Sequence, residues 1–389
     1  MIIRRCVVVV AGLALVLALG AGALGCGAKT APLIDDGGPR DAGMLPVDAS
    51  EDAGLPFFTF PCRWGLGRET VLVRHATPLR DVLAAVSVGS DVALAMTADV
   101  TGTTGYRGAI VSIEDPPTIL RPVSHDQGGE VLGLADGWAQ LAIGDAGCRL
   151  VRYDMNFAAM VGADLLATTS ACALERRDAR LLEIASDDGV QTTLTALALS
   201  SDVAIPPTAA VMRATATGAS FDPRFGWLAL SIRGGGVLEL DRIPSAGARD
   251  VARLAEGART FEVEPDRLRP GILVLREDAA GREWLERVSP VGDPPVPETL
   301  LEVSGLGTST GHLVSTEAEA GIALRDGRVI FSPTSGTPPT VLMPVSASAP
   351  EDIHIALRAG TSVGVVAYDY FDAASSEHRL AVRALTCNR

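Results

Sequence analysis

The chain has 389 residues, with 47 Asp and Glu against 33 Lys and Arg, a net charge of −14, and 47% apolar residues. That length permits two or three ordinary domains, or one large repetitive domain with a substantial core. The apolar content excludes a chain that is disordered throughout. The negative charge argues against a nucleic-acid partner, because phosphate binding requires a basic face.

The chain begins with a targeting segment. Arg4 and Arg5 precede an uncharged, apolar stretch from Cys6 to Leu24, which ends in small residues. A basic start, an apolar middle and a small-residue end predict a secretory signal over residues 1–25. A retained membrane anchor is the alternative, because the apolar stretch is just long enough to span a bilayer.

Four residues at the end of this segment carry a specific resemblance. Ala23-Leu24-Gly25-Cys26 resembles the lipobox of bacterial lipoproteins, in which a peptidase cuts before the cysteine and the thiol carries diacylglycerol; Ala23 stands where the strongest form has leucine. The resemblance implies that Cys26 is the lipid attachment site, and two or three acyl chains anchor a protein stably where one does not. A simple cleaved signal is the alternative.

The lipobox resemblance also implies where the protein is located. Gly27 stands where an aspartate favours retention at the inner membrane of well-studied envelopes. We therefore expect a lipid-anchored protein of the bacterial cell envelope, at the outer membrane, on its periplasmic or surface face. The membrane is a partner through the lipid anchor, since an acidic body beside anionic lipid is not held by charge.

A low-complexity segment follows the lipidated cysteine. Residues 26–56 are acidic and rich in Gly, Pro and Asp, without a period of 2 or 3.6. Such a composition cannot bury enough apolar surface to offset the entropy lost on ordering, so we predict a disordered tether. We expect it to hold a folded domain, residues 57–389, away from the membrane; a disordered terminus without a spacer role is the alternative.

The body of the chain repeats about every 45 residues. Short apolar strands begin at Val92, Trp138, Leu181, Trp227, Ile272, Ile322 and Val363. A Gly- and Asp-rich turn and a second strand follow most of them, as in hairpins, and further short runs flank many of the hairpins. Four strands per 45-residue unit is the spacing of a β-propeller blade.

We therefore predict an all-β fold, a β-propeller of about seven four-stranded blades. Six or eight blades stay open, because the unit at 172–215 is the least regular. A β-sandwich, or two stacked β domains, is the structural alternative, since it is also built of short strands with frequent turns.

The blades match no named propeller family. They lack the Trp-Asp ending of WD40 repeats, the paired glycines of kelch repeats and the Trp-docking repeat of quinoprotein dehydrogenases. A lipobox followed by repeated strands nevertheless resembles the general plan of the propeller lipoprotein of the outer-membrane barrel-assembly machine. That resemblance implies a scaffold for protein contacts and transfers no binding residue.

Four cysteines remain after the lipidation candidate: Cys62, Cys148, Cys172 and Cys387. An even number outside the cytoplasm predicts two disulfides with three possible connectivities, and four free thiols are the alternative. Propellers close when a strand from one terminus completes the blade made by the other. The propeller prediction therefore pairs Cys62 with Cys387, and leaves Cys148 with Cys172.

Motifs for chemistry are scarce. Two segments, 307–311 and 360–364, match the G-x-S-x-G pattern of serine hydrolases, but neither opens a helix as a nucleophile elbow requires. Asp187-Asp188-Gly189 is interpreted as a plain turn and not as part of a calcium loop. The histidines do not show metal-ligand spacing; they are His75, His125, His312, His354 and His378.

Other polar and aromatic residues receive structural interpretations. Glu262 and Glu264 lie two apart on one face of a strand, without a sign that they converge on a cleft. Trp138 and Trp227 occupy equivalent positions in their repeats and are expected in the core, which leaves few aromatic side chains to stack on sugars or bases.

We predict no catalytic residue, no cofactor and no metal, and we expect an interaction or scaffold module whose partner is an envelope protein or a glycan. The alternative is a propeller hydrolase or lyase whose polar residues converge on the central channel from several blades. Such a site leaves no linear motif, so the sequence leaves the question of enzyme activity open.

Overall fold

The computed structural model describes residues 62–388 except for the short segments 101–104, 127, 145–146, 161–164, 168–170, 177–180, 188–190, 199–202, 213–215, 223–224, 245–247, 268, 293–294, 304–311, 317–318, 325, 334–337, 345–349, 359–360 and 362. The predicted signal, Cys26, the predicted tether and the predicted domain boundary at residue 57 lie outside the described residues. Within them, no helix is long and apolar enough to cross a membrane.

Every regular element of the described residues is a β-strand. In chain order the strands are β1 (Arg63–His75), β2 (Leu79–Val86), β3 (Val92–Asp99), β4 (Tyr106–Ser112), β5 (Ile119–His125), β6 (Gly128–Gly133), β7 (Gly137–Gly144), β8 (Gly147–Asp154), β9 (Leu165–Ala167), β10 (Ala171–Arg176), β11 (Leu181–Asp187), β12 (Gln191–Ala198), β13 (Val203–Met212), β14 (Ala216–Asp222), β15 (Gly226–Arg233), β16 (Val237–Ile243), β17 (Asp250–Ala255), β18 (Ala258–Pro265), β19 (Ile272–Asp278), β20 (Glu283–Val288), β21 (Glu298–Val303), β22 (His312–Ser315), β23 (Glu319–Ala323), β24 (Val329–Pro333), β25 (Thr340–Leu342), β26 (Ile353–Leu357), β27 (Val363–Asp372) and β28 (Glu377–Asn388).

The described strands form seven four-stranded antiparallel sheets, which we number as blades 1–7. Blade 1 is β2–β5, and each following set of four consecutive strands forms the next blade, through β22–β25 in blade 6. Blade 7 combines β26, β27 and β28 with β1, in the order β1-β28-β27-β26. The first strand of each blade contacts the first strands of both neighbouring blades, and β26 contacts β2, so the blades close into a ring.

These contacts confirm the predicted all-β fold, and the chain is a seven-bladed β-propeller. The irregular unit at 172–215 forms most of blade 3, with strands β10–β13. The seven apolar strands found from the repeat are the second strands of the seven blades. The β-sandwich alternative is excluded, because a sandwich has two packed sheets and not a closed ring of seven.

The hydrophobic core is divided among the junctions between blades. Blade 1 packs on blade 7 through one buried cluster, blade 4 on blade 5 through another, and blade 5 on blade 6 through a third. The second strands read as continuous apolar runs because both faces of a blade are covered by neighbours. Trp138 in β7 and Trp227 in β15 are completely buried, as expected.

Polar groups tie neighbouring blades together one repeat apart. Ser87 Oγ donates to the Leu134 carbonyl at 3.2 Å, and Ser315 Oγ donates to the Pro265 carbonyl at 2.8 Å. The sequence separations of these bonds, 47 and 50 residues, match the period of the repeat. At these two junctions a blade therefore satisfies a buried hydroxyl group of its neighbour.

The ring closes on the N-terminal strand. β1 pairs antiparallel with β28 from Arg63 opposite Asn388 to His75 opposite His378. Cys62 and Cys387, the pair favoured by the propeller prediction, form a disulfide across a sequence separation of 325 residues. The backbones of Cys148 and Cys172 lie in β8 and β10, and their side chains lie outside the described part of the chain.

Side chains of blade 6 and blade 7 hold β1 in place, and those of blade 6 contact its first residues. Trp64 Nε1 donates to Glu319 Oε2 of blade 6 at 2.6 Å, and the Trp64 ring stacks on Phe331 with centroids 4.0 Å apart. Glu319 is 1% exposed, and this burial raises the pKa of its carboxyl, while the bonds from Trp64 and the Cys62 amide lower it. The closing strand thus depends on a hydrogen-bonded carboxyl inside the neighbouring blade.

A second carboxylate fixes the middle of β1. Glu69 accepts hydrogen bonds from the hydroxyl groups of Tyr368 and Tyr370, at 2.6 Å and 2.7 Å, and both tyrosines lie on β27. Because β28 lies between β1 and β27, these bonds reach across the sheet and add to the backbone ladder. The position of β1 is therefore set by specific side chains as well as by strand pairing.

Replacing both cysteines, in Cys62→Ser with Cys387→Ser, should lower the free energy of unfolding by up to about 5 kcal/mol, because the bond closes a very long loop. Urea denaturation without reductant measures the difference from wild type. Peptide mapping without reduction should recover a peptide pair that joins Cys62 and Cys387. Recovery of Cys62 joined to Cys148 would contradict this closure.

Trp64→Phe should lower the free energy of unfolding by about 1–3 kcal/mol at pH 7, because the buried Glu319 oxygen loses its indole donor. In a Glu319→Gln background the same change should cost less, because an amide without a partner is less costly to bury than a carboxylate. A double-mutant cycle of thermal or urea unfolding measures the coupling. Additive effects of the two changes would show that the bond contributes nothing.

Candidate functional site

The polar site with the most unusual geometry lies where blade 7 meets blade 1, and it begins with a β-bulge in β2. In the pairing of β2 with β3, Arg80 lies opposite Ala98 and Leu83 lies opposite Met96. Asp81 and Val82 therefore share the single position of β3 between these two pairs. Asp81 has a φ of 52°, in the left-handed region. A bulge leaves a residue unpaired and turns it out of the ladder.

The bulge directs a backbone donor at blade 7. The Val82 N–H donates to Asp352 Oδ2 at 2.8 Å, across a sequence separation of 270 residues. Asp352 directly precedes β26, and its other oxygen accepts the Ile353 N–H at 2.9 Å. In a regular strand the Val82 N–H would pair with β3. Here it joins blade 7, the last blade, to blade 1.

Asp369 on β27 holds the segment that carries Asp352. Its Oδ1 accepts the Asp352 N–H, and its own N–H donates to the Asp352 carbonyl at 3.1 Å. The Glu351 N–H donates to the Asp369 carbonyl at 3.2 Å. One residue of β27 thus fixes both residues that lead into the innermost strand of blade 7.

The Asp369 carboxyl is 1% exposed, and its Oδ2 has no hydrogen-bond partner among the described residues. Burial away from water, together with the negative charges of Asp352 and Glu351, raises the pKa of Asp369 to about 8, although the bond from the Asp352 amide lowers it. A carboxyl of this kind is protonated at neutral pH.

Tyr106 and His378 complete what we call the seam cluster, which consists of Asp81, Tyr106, Glu351, Asp352, Asp369 and His378. Burial, followed by the Asp81 charge, raises the pKa of Tyr106 to about 12. His378 Nδ1 lies 3.2 Å from Glu351 Oε1. The cluster gathers these groups at one end of the strands of blades 1 and 7.

The seam cluster is suited to holding a proton and not to acid–base catalysis. A general acid must reach the group that it protonates, within hydrogen-bond distance or through one water. Asp369 is 1% exposed and its carboxyl faces other protein groups, so it does not meet a substrate from solution. Its bonds instead hold the residues that contact blade 1.

The histidines predicted as scattered have separate partners. His75 Nε2 lies 3.3 Å from Asp99 Oδ2, and His125 Nε2 lies 2.8 Å from the Tyr153 hydroxyl. His354 lies on the innermost strand β26, and the side chain of His312 lies outside the described residues. Among the described residues, no group of three or more His, Cys, Asp or Glu side chains is arranged to hold a metal ion.

The other singled-out residues are not brought together. Glu262 and Glu264 lie on β18, the innermost strand of blade 5, where Glu262 Oε2 accepts the Leu313 N–H of blade 6 at 3.0 Å. Glu262 therefore joins two blades. Ser309 and Ser362 of the G-x-S-x-G segments, and Asp188 of the turn, lie outside the described residues.

Sequence reasoning missed Asp352 and Asp369. A usable signal was present for Asp369, because it follows the apolar run of β27 at a position where the alternation calls for a core residue. No such signal marks Asp352, because its partner Val82 lies 270 residues away in the sequence.

Comparison with known proteins supports the fold. Neither a protein-family model nor a curated protein matches the sequence. The WD40 domain of coronin from Toxoplasma gondii is similar with a TM-score of 0.52 and 10% identity, over 83% of this chain and 87% of that one. BamB from Moraxella catarrhalis has a TM-score of 0.43 and 14% identity, over 78% of this chain and 84% of that one. At this identity the similarity to the coronin domain shows the β-propeller fold alone.

Asp352→Ala should lower the free energy of unfolding by about 1–3 kcal/mol, because the Val82 and Ile353 N–H groups lose their acceptor. Asp136→Ala is the matched control, since it removes the same charge from an exposed turn between β6 and β7 and should change stability by less than about 0.5 kcal/mol. Urea denaturation at pH 7 compares the two. Equal effects would show that the bond to blade 1 is unimportant.

Proposed function

We propose that the protein is a bacterial cell-envelope lipoprotein, anchored through Cys26, whose propeller is an interaction or scaffold module for an envelope protein. The observation that carries the proposal is the Cys62–Cys387 disulfide. Disulfides persist in oxidising compartments such as the periplasm and the cell surface, and are rare in the cytosol. This agrees with the signal and lipobox pattern of residues 1–26.

The position of the disulfide also suits a tethered protein. The chain from Cys26 enters the ring at Cys62, next to the first residue of β1. Without the bond, a pull on this end would separate β1 from β28 one pair at a time. With Cys62 joined to Cys387, the pull passes into β28, a strand paired on both sides. A propeller held in this way stays closed while its loops contact a partner.

Exposed apolar side chains support a protein partner over a glycan. Val251, Val291 and Val296 are 53%, 69% and 77% exposed, and lie at the start of β17 and in the loop before β21. Arg242 pairs with Asp250 and donates to the Gly292 carbonyl at 2.6 Å, which holds the loop of blade 5 against blade 4. Asp250 and Gly292 adjoin Val251 and Val291 in the sequence, so Arg242 links two segments that carry exposed apolar side chains, which are typical of protein contact sites when they form a patch.

Cys26→Ala should abolish incorporation of labelled palmitate in cells and move the protein from the membrane fraction to the soluble one, since acyl chains supply the attachment. The Cys62→Ser and Cys387→Ser pair is the control, because it removes cysteines from the folded domain and should leave labelling intact. Label that persists in Cys26→Ala would refute the lipid anchor.

A further inference from the structure

We propose that the proton on Asp369 keeps the seam between blade 7 and blade 1 closed, so that the ring loosens locally at this seam as the pH rises. The proposal concerns a property of the ring itself and is independent of the lipid anchor. It rests on where the carboxyl lies, on which charges face it and on which bonds it holds.

The Asp369 side chain faces blade 1. Ala367, two residues earlier on β27, and Leu380, the cross-strand partner of Asp369, both belong to the buried cluster between blades 1 and 7. Because alternate residues of a strand share a face, Asp369 points to the same side as Ala367. The cluster also contains Leu79 and Val82 of β2, so the carboxyl lies between the two blades.

The groups around this carboxyl disfavour its ionised form. β27 packs against β2, β3, β26 and β28. The titratable and charged groups at this end of those strands, and in the segment before β26, are Arg80, Asp81, Asp99, Glu351, Asp352, His354, Glu377, His378 and Arg379. Arg379 pairs with Asp372 at 2.6 Å. Arg80 is about half exposed and pairs with Asp81 at 3.7 Å, while His378 pairs with Glu351 at 3.2 Å. The two negative charges that act on Asp369 belong to Asp352 and Glu351.

Ionisation of Asp369 would act directly on the bond to blade 1. Asp352 accepts the Val82 N–H, and its own backbone is held by Asp369 through a bond in each direction. A second negative charge beside Asp352, in a site of low dielectric, repels the carboxylate that joins the blades. Water relieves this repulsion only if the seam opens.

The direction of the pH effect follows from the two states. In the closed seam the pKa of Asp369 is raised to about 8, whereas in an opened, hydrated seam the carboxyl has its ordinary pKa near 4. Opening of the seam therefore releases the Asp369 proton at pH values between these two pKa values. The fraction of open seam should rise by up to about tenfold per pH unit from about pH 4, and level off above about pH 8.

The opening is local because other bonds remain. Arg358 Nε donates to the Val88 carbonyl at 3.0 Å and Arg358 Nη1 to Asp91 at 2.8 Å, at the opposite end of the same seam. The disulfide joins β1 to β28 at that opposite end as well. The contact between blade 7 and blade 1 therefore opens at the seam cluster, while Arg358 and the disulfide keep the ring linked at the other end.

Hydrogen exchange of the purified full-length protein in detergent, at several values between pH 5 and pH 9 and corrected for intrinsic rates, tests the proposal. In wild type the protection of peptides from β2 and β26 should fall as the pH rises. In Asp369→Asn, whose amide does not titrate, this dependence should vanish. Asp136→Asn is the matched control, and peptides from β15 report a seam without this carboxyl.

An equal pH dependence in wild type and Asp369→Asn would overturn the proposal, and so would a pH dependence that β15 shares. If Asp369→Asn does not fold, hydrogen exchange of the Glu351→Gln variant tests the proposal instead. That change removes one of the charges that raise the pKa of Asp369, so protection should level off at a lower pH than in wild type. An unchanged profile in Glu351→Gln would then overturn the proposal.

Discussion

The pairing of β1 with β28 is the constraint on which the rest of the structure depends. Each blade covers the apolar faces of its neighbours, and side chains of β1 pack in the buried clusters on both sides of blade 7. Without β1, blade 7 would expose the edge of β28 and the Cys62 end of the chain would be free. The chain meets this need with strand pairing, a disulfide, and carboxylates at Glu69 and Glu319 that accept bonds from neighbouring strands.

Carboxyl groups have a recurring place at the junctions between blades. Glu262 joins blade 5 to blade 6, and Asp352 joins blade 7 to blade 1, each by accepting a backbone N–H from the next innermost strand. A bond to a charged acceptor is stronger than one between neutral groups. A charged acceptor also has a cost, because a further acid buried beside it must stay protonated, as Asp369 does beside Asp352. The seam between blade 7 and blade 1 therefore also carries a carboxyl whose pKa is raised by burial.

The two ends of the seam between blade 7 and blade 1 differ in the groups that they contain. At one end lie Arg358, its bonds to blade 1, and the disulfide. At the other end lies the seam cluster, with its buried carboxyl.

The sequence by itself determined the repeat, the all-β class, the approximate number of blades and the disulfide that closes the ring. These follow from local chemistry, because strand patterns and turns recur at a fixed period and a propeller must close on its termini. Only the tertiary structure decided which acids have a raised pKa. Asp369 and Asp372 lie three residues apart on β27, yet burial raises the pKa of the first, while hydrogen bonds from the Ser375 hydroxyl and nearby groups lower the pKa of the second. That difference arises because blade 1, from the other end of the chain, covers one of them and not the other.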